Sequence, residues 1–235
     1  MLCKIADLIA EIPEAGGLAP RCREYLYDGE LQPQIVISED DYRPQRWPAV
    51  APGYIPYMES GGHFYLQLLR FGGMMLHSSA VEYEGRVYLF SGDCGAGKST
   101  HTQLWQQIFG SEARIINDDK PALRLIDGIW YAYGTPWCGK DGINQNRKAP
   151  IAGICFMKKA DHNSIRRMSE LEAISRIVKQ TQRKFKSAEN LDLMLSHLEK
   201  LVQMIPVSEL ENRPEPEAAR LSYETMRRGA EEMGL

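Results

Sequence analysis

The sequence lacks a strong excess of either charge, and it lacks any long apolar run. Its formal net charge is −3 over 235 residues, with a pI near 6.0, which argues against bulk binding of nucleic acid. No stretch approaches the roughly 18 consecutive apolar residues that a membrane span needs. We therefore predict neither a nucleic-acid partner nor a membrane partner.

Cysteine is also scarce, and its five residues form no C-x-x-C pair. An odd number of cysteines without such a pair is typical of reduced thiols in a cytoplasm, not of a disulfide framework or a zinc site. The first residues lack the layout of a secretory signal, because Asp7 and Glu11 interrupt the apolar stretch. These absences predict a cytoplasmic protein.

What the sequence does contain is a phosphate-binding motif, G-x-x-x-x-G-K-[ST], which residues 92–99 match at every fixed position. In such a loop the glycines let backbone N–H groups point at phosphate oxygens. Lys98 reaches the outer phosphates, and Ser99 offers its hydroxyl to Mg²⁺. The residues predicted to bind the nucleotide here are Gly92, Asp93, Cys94, Gly95, Ala96, Gly97, Lys98, Ser99 and Thr100.

The residues on either side of the motif have the composition of the elements that should flank it. Residues 86–91 are typical of a strand, and residues 100–109 are typical of an amphipathic helix that Gly110 ends. The positive end of that helix dipole would add to the attraction for phosphate. The motif in this context predicts a nucleoside triphosphate, ATP by preference, bound together with Mg²⁺.

A histidine is predicted to reach the mouth of this loop. Residues 74–83 and 86–91 have the composition of two strands, and only Glu84 and Gly85 separate them. A two-residue connection requires an antiparallel hairpin. Counting outward from that turn places His77 opposite Gly92. His77 is therefore a candidate site residue, although a histidine in an apolar strand is often a core residue.

Two adjacent acids follow a short apolar strand at residues 114–117, about 20 residues after Lys98. P-loop enzymes keep an acid for Mg²⁺ at this location. Neighbouring residues of an extended segment point to opposite sides, so one of Asp118 and Asp119 can face the metal while the other accepts the proton of an attacking hydroxyl. The alternative is a solvated turn.

Further cations follow a predicted hairpin whose turn is Asp127-Gly128. A glycine-rich loop at residues 134–142 carries Lys140, and Arg147 lies shortly after it. Phosphoryl transfer needs positive charge near the transferred group, so Lys140 and Arg147 are candidate phosphate ligands. Each is as well explained as a solvated loop charge.

The remainder of the chain divides into two predicted parts. Residues 1–53 have short apolar runs and many turn signals, which predicts a small β-rich extension. Residues 54–235 would form the catalytic domain, with helices at residues 54–71, 188–205 and from about residue 216. Another helix would begin after Ser169, which forms a capping box with Glu172.

Three segments together, at residues 76–81, 92–99 and 117–119, resemble the catalytic domain of HPr kinase/phosphorylase, and more broadly the P-loop fold that it shares with phosphoenolpyruvate carboxykinases. The resemblance covers roughly residues 74–157. It implies an α/β fold in which a mixed, curved β-sheet surrounds the P-loop helix, with C-terminal helices packed on it. By motif it implies an active site of His77, Lys98, Ser99, Asp118 and Asp119.

The same resemblance implies a reaction, transfer of the γ-phosphoryl group of ATP to a serine of a small protein with Mg²⁺, and a homo-oligomer. The chain departs from the family pattern at residues 134–140, where a Gly-Thr-Pro-Trp loop replaces the family's Glu-x-Arg-Gly segment. This loop is similar to that of short HPr-kinase-like proteins, some of which act on a serine of a peptide. The sequence therefore does not tell whether phosphorylase activity exists.

The sequence thus predicts a phosphotransferase, a kinase that acts on a serine of a protein or peptide. Two alternatives stay open: a kinase for a free small molecule such as an amino acid, and a non-catalytic regulator that binds ATP. The sequence does not identify the acceptor, choose ATP over GTP or pyrophosphate, or decide which acid binds metal.

Overall fold

The structure is a computed structural model that describes residues 1–14, 16–182, 185 and 187–235. It is a mixed α/β fold with a curled, mixed β-sheet and several helices, and at this level the predicted fold class is confirmed. None of the helices in the described ranges combines the length and the apolarity that crossing a bilayer requires.

The N-terminal residues form a small sheet with strands β1, β2 and β3. These strands span Leu2–Ile5, Leu8–Glu11 and Ile35–Val36. Short 3-10 helices follow at Gly16–Tyr25, Glu39–Asp41, Pro44–Arg46 and Pro52–Tyr54. The prediction of a β-rich segment missed these 3-10 turns, since proline-rich stretches give no helical periodicity. The division of the chain at residue 53 stays a prediction.

The large sheet contains nine strands within the described residues. They are β4 (Gly73–Met75), β5 (Ser78–Tyr83), β6 (Arg86–Ser91), β7 (Arg114–Asp119), β8 (Ala122–Ile126), β9 (Ile129–Tyr133), β10 (Lys148–Lys159), β11 (Ser164–Arg167) and β12 (Val207–Asn212). The main order is β4-β8-β9-β10-β6-β5-β7, and β12 pairs with both β10 and β11.

Strand β10 joins the two halves of this sheet because it changes partners along its length. Its first residues, Lys148–Pro150, pair antiparallel with β9. Its later residues pair in parallel with β6 on one side and with β12 on the other. Parallel strands that are buried on both faces have continuous apolar sequences. Strand β10 is such a strand, since it is buried from Ile151 to Met157.

Five α-helices cover the sheet in the described ranges. They are α1 (Ile55–Leu68), α2 (Lys98–Phe109), α3 (Glu170–Gln180), α4 (Ala188–Met204) and α5 (Pro216–Glu232). The predicted capping box is present, since the Ser169 hydroxyl accepts from the Glu172 N–H and the Glu172 carboxylate accepts from the Ser169 N–H.

One detail of the predicted elements was wrong. The single strand predicted over residues 74–83 is two strands, because β4 pairs with β8 whereas β5 pairs with β6 and β7. The chain therefore changes direction at Leu76 and His77. In α3 and α4, Leu171, Leu191 and Leu195 are exposed, while the polar side chains of Asn190 and His197 are buried.

Three apolar clusters form the core. One lies between the large sheet and helices α3 and α4, and a second lies between the sheet, α2 and α5. The third joins the small N-terminal sheet to α1 and to the segment around Trp137. The phosphate-binding motif lies between the end of β6 and the start of α2.

Candidate functional site

The loop between β6 and α2 adopts a conformation that requires its glycines. Gly92, Gly95 and Gly97 have φ of 143°, 80° and 98°, in the region that side chains disfavour. At Gly92 there is a second reason, since a Cβ atom would lie 2.9 Å from the Met157 carbonyl oxygen of β10. The loop thus packs tightly against the neighbouring strand and delivers the chain directly into α2.

The first residue of α2, Lys98, folds back over the loop. Its ammonium group donates to the carbonyl oxygens of Gly92, at 2.9 Å, and Asp93, at 3.2 Å. Burial lowers the pKa of Lys98, and the nearby carboxylates of Asp119 and Asp118 oppose that shift. The lysine therefore lies within the electrostatic field of the acidic pair.

The other residues of the motif lie at the surface. Asp93, Cys94, Gly95 and Thr100 are exposed, whereas Ala96, Gly97, Lys98 and Ser99 are half-buried. The Ser99 carbonyl oxygen accepts a hydrogen bond from Thr102 in the next turn of α2. The exposure of the outer part of the loop leaves room above it for a ligand.

His77 lies beside this loop, where the hairpin count placed it. Strands β5 and β6 pair Ser78 with Ser91, so His77 is one step beyond the last pair. The Ser91 hydroxyl donates to the His77 carbonyl oxygen at 2.8 Å and fixes the backbone there. The imidazole keeps 33% of its surface exposed, so it faces a pocket and not the core.

The two ring nitrogens of His77 face two oxygen atoms. Nε2 is 3.1 Å from Asp119 Oδ1, and Nδ1 is 2.9 Å from Gln180 Oε1. The Gln180 amide is held in this orientation, because its nitrogen donates to Asp93 Oδ1 at 3.2 Å. Both ring nitrogens thus contact acceptor oxygens, so the ring is placed to hold the Asp119 carboxylate in one orientation.

Asp119 ends β7 and has an unusual backbone, with φ of 156°. Such conformations persist only where the surroundings fix them, and they are frequent at active sites. Burial raises the pKa of Asp119, but the hydrogen bond from His77 and the charge of Lys120, whose ammonium contacts the carboxylate, outweigh burial and lower it overall. Asp119 is therefore ionised at neutral pH.

Asp118, the preceding residue, points elsewhere. Its Cα pairs across the sheet with Ser79 of β5, and its N–H donates to the Ile143 carbonyl oxygen at 3.1 Å. The residue is 8% exposed, and its carboxylate makes no hydrogen bond to any other side chain in the described part of the chain. The two acids thus differ, because His77 and Lys120 hold the Asp119 carboxylate, whereas Asp118 has no such side-chain partner among the described residues.

Sequence reasoning missed the contribution of the end of α3. Gln180 contacts His77 through its side chain and also through its carbonyl oxygen, which accepts from the His77 N–H at 2.7 Å. The next residue, Thr181, donates from its hydroxyl to the Met75 carbonyl oxygen at 2.6 Å. No sequence pattern indicated this, because the two segments are about 100 residues apart.

Arg147 is not brought to the loop. Its guanidinium donates to both carboxylate oxygens of Glu82, at 2.7 and 2.9 Å. Glu82 lies near the turn of the β5–β6 hairpin, at the opposite end of the strand from Ser78. A bidentate pair with a largely buried carboxylate explains why this cation lies away from the predicted phosphate site.

Lys140 is exposed, in the turn that follows Gly139. The backbone of Gly139 lies against the acidic pair, so a Cβ there would be 3.0 Å from the Asp118 carbonyl oxygen. Arg21 donates to the Gly139 carbonyl oxygen, and the Tyr57 hydroxyl accepts from the Gly139 N–H at 2.9 Å. The loop that carries Lys140 is thus anchored beside the acids, although its ammonium points to solvent.

Two cavities flank the loop, and Asp93 and Cys94 line both. The cavity on the β10 and α3 side has a volume of about 810 Å³ and is rich in charged side chains. These include Lys158, Lys159, Arg166, Arg176 and Lys179. The cavity on the other side, of about 520 Å³, contains His77 and Asp119. The loop therefore lies between two cavities, and the smaller one contains His77 and Asp119.

The donor set fits Mg²⁺ bound together with phosphate. In the described residues no group of three or more His, Cys, Asp and Glu side chains is arranged to hold a metal without help. Mg²⁺ does not need one, since it is usually held by one or two carboxylates, a hydroxyl, waters and the oxygens of its phosphate ligand. Asp118 and Ser99 offer such oxygens.

No family model matches the chain, and no curated protein matches it. Among solved structures, the Hpr(Ser) kinase/phosphatase from Coxiella burnetii matches 68% of this chain and 99% of its own, at 10% sequence identity and a TM-score of 0.37.

Proposed function

We propose that the protein is a kinase that transfers the γ-phosphoryl group of ATP to a hydroxyl, that of a serine in a protein or peptide. The observation that carries this proposal is the His77–Asp119 pair, 3.1 Å apart, beside a G-x-x-x-x-G-K-S loop. A phosphate loop alone serves many functions, whereas a held, ionised carboxylate next to it supplies a proton acceptor for an attacking hydroxyl.

The loop and Lys98 hold the donor in this proposal. The backbone N–H groups of residues 93–98 and the start of α2 bind the β- and γ-phosphates. Lys98 exchanges its present contacts with the Gly92 and Asp93 carbonyl oxygens for phosphate oxygens, which are stronger, charged acceptors. When bound, Mg²⁺ neutralises charge on the phosphates, and Ser99 and Asp118 are the residues that would hold it.

Asp119 takes the proton of the acceptor. The hydroxyl oxygen forms a bond to the γ-phosphorus as the bond from that phosphorus to the β–γ bridging oxygen breaks, and ADP leaves with the electron pair. The hydroxyl proton moves to the Asp119 carboxylate. His77 acts as a positioning residue, because it holds Asp119 from one side while Gln180 holds its ring from the other.

The proposal is tested by mixing the protein with γ-³²P-labelled ATP, Mg²⁺ and peptides that contain a single serine. We expect label on the peptide, detected as phosphoserine by mass spectrometry. Wild-type protein that binds ATP but neither transfers label to any hydroxyl nor releases phosphate faster than the Asp119→Asn variant would contradict the proposal. That result would favour a regulator that only binds nucleotide.

A further inference from the structure

A third cavity, of about 940 Å³, lies beside the His77–Asp119 pocket and has a different character. It opens between α1 and the loop that contains Trp137, and most of its wall is aromatic or aliphatic. The apolar side chains include Trp47, Tyr57, Met58, Tyr65, Leu66 and Trp137. Predominantly apolar cavities of this size, with a few polar groups, are typical of ligand sites.

This aromatic cavity is continuous with the candidate active site. Met75, Lys120 and Thr181 line both the aromatic cavity and the pocket that contains His77 and Asp119. Lys120 follows Asp119 directly in the chain and contacts its carboxylate. A group bound in the aromatic cavity therefore lies next to the atom that would receive the acceptor's proton.

Hydrogen bonds hold the wall of the aromatic cavity in place. Glu59 of α1 lines it and is only 5% exposed. Its carboxylate accepts from the Arg43 N–H at 3.2 Å and from the Trp47 indole N–H, and His63 Nε2 lies 3.7 Å away. These bonds tie the 3-10 segment that carries Trp47 to α1, so the cavity is formed before any ligand arrives.

We infer that the aromatic cavity recognises the acceptor, by taking a large apolar or aromatic side chain next to the serine that is phosphorylated. This inference rests on the proposed function. A single free amino acid with a small polar side chain would leave most of the aromatic wall in contact with water. A peptide can place its serine beside Asp119 and the adjacent side chain against Tyr57, Tyr65 and Leu66.

Two adjacent glycines of α1 provide a sharp test. Both line the cavity, but a Cβ at Gly61 would lie 2.8 Å from Trp137 Cδ1, whereas a Cβ at Gly62 would meet no atom within 4 Å. Gly62→Leu therefore fills empty space without displacing the wall, and leucine favours a helix more than glycine does. Gly53→Leu is the matched control, because Gly53 is exposed, equally unobstructed and outside the cavity.

The experiment measures transfer from ATP to alanine-based heptapeptides with a central serine and Trp, Phe, Leu, Ala or Asp on either side of it. With wild-type protein we expect Trp or Phe on one side to raise kcat/KM about tenfold or more over Ala. Gly62→Leu should remove that preference while its Kd for ATP stays within about twofold. Gly53→Leu should keep the preference.

Equal rates for all flanking residues, or a preference that survives Gly62→Leu, would overturn the inference and leave the kinase proposal intact. Phosphorylation of 2-phenylethanol, tested in parallel, without phosphorylation of any peptide would overturn the assignment to a peptide. If no acceptor is phosphorylated, binding of the Trp peptide is followed by fluorescence. If the peptide binds to wild-type protein and not to Gly62→Leu, the result would support the cavity as the recognition site and contradict the proposed kinase activity. If the peptide does not bind at all, both the recognition site and the kinase activity would be overturned.

Discussion

Two histidines near α2 have different surroundings, and comparing them separates site from scaffold. His77, beside the phosphate loop at the start of α2, marks an open face, and His101, within α2 against α5, marks a closed face. On one face the loop meets His77, whose ring is partly exposed and paired with Asp119. On the other face His101 is buried, with Nε2 2.9 Å from Ser222 Oγ and its ring 4.6 Å from that of Phe90. The Trp105 indole N–H also donates to the Ser222 hydroxyl, which joins α2 to α5.

The difference lies in what faces each ring, not in the residue type. Burial without a counter-charge lowers the pKa of His101 to about 4, so this ring is neutral and serves as packing. His77 has a carboxylate, an amide and solvent around it, so its ring is placed to act on groups outside the core. Each of the following experiments acts on one of these two faces.

The largest effect is expected from the acids of the open face. Asp119→Asn removes the proton acceptor and should lower turnover by about 10³-fold, within the range of a lost general base. Asp118→Asn should also reduce turnover, by weakening the affinity for Mg²⁺, and its loss should be partly recovered at high Mg²⁺. Rates are measured with labelled ATP, alongside urea denaturation to check folding.

The matched control for the acids is Asp127→Asn, in the β8–β9 turn, where asparagine fits the positive φ of 49° equally well. It should transfer phosphate at the wild-type rate. If both Asp118→Asn and Asp119→Asn transfer phosphate at the wild-type rate, the two acids have no role in catalysis and only form a turn.

The second effect concerns the histidine of the open face. His77→Gln keeps much of the size of the side chain but loses the ring that holds Asp119, so transfer should slow on the order of 10²-fold. The Tm should stay within a few degrees of wild type, because His77 is partly exposed. His162→Gln, in the exposed β10–β11 turn, is the control. A large drop in Tm with normal turnover would mean that His77, like His101, has only a structural role.

The third effect is a pH dependence that belongs to the closed face. The unfolded chain protonates His101 near 6.5 and the folded chain near 4, so the unfolded state binds more protons between these values and stability falls as pH drops below 6.5. Between about pH 7.5 and about pH 5 this residue alone should cost about 2 kcal/mol of unfolding free energy.

Urea denaturation at the two pH values measures this cost, with His101→Gln as the comparison. The variant lacks the titrating ring, so its stability should fall less on acidification than that of wild type. An identical pH dependence in both proteins would mean that His101 is already accessible to protons in the folded state.

The smallest effect is expected for nucleotide affinity. Lys98→Ala removes one charge-assisted contact with phosphate, of the kind worth about 1.5–3 kcal/mol, so the Kd for ATP should rise at least about tenfold. Lys200→Ala, on the exposed face of α4, should leave the Kd unchanged. Titration calorimetry gives both values, and equal affinities for the two variants would mean that the loop does not hold the nucleotide.

The parts of this picture that could be predicted from the sequence are those fixed by local contacts. The Glu84-Gly85 turn sets the register of β5 and β6, so counting outward from it located His77. The glycine pattern of the loop and the start of α2 followed from backbone geometry in the same way. Local chemistry also placed the capping box at Ser169.

The rest depends on contacts between distant segments, which no local pattern encodes. Gln180 contacts His77 only because α3 packs against the sheet. Glu82 of β5 forms an ion pair with Arg147, which is 65 residues away in the chain. Trp47 lines the aromatic cavity, but it lies in a proline-rich segment whose sequence has no helical or strand periodicity. Leu191 and Leu195 have helical spacing but face solvent, because α4 turns Met194 and Leu198 inward instead.

Strand β10 has a consequence for the order in which the protein folds during synthesis. A nascent chain that has left the ribosome only as far as residue 147 leaves β6 with an unpaired edge, since β10 covers it. Unpaired edges invite association with other chains, and long-range pairings form slowly. Because β12 must then pair with the far side of β10, the strand that leads into the phosphate loop gains its final surroundings only after residues 207–212 have been made.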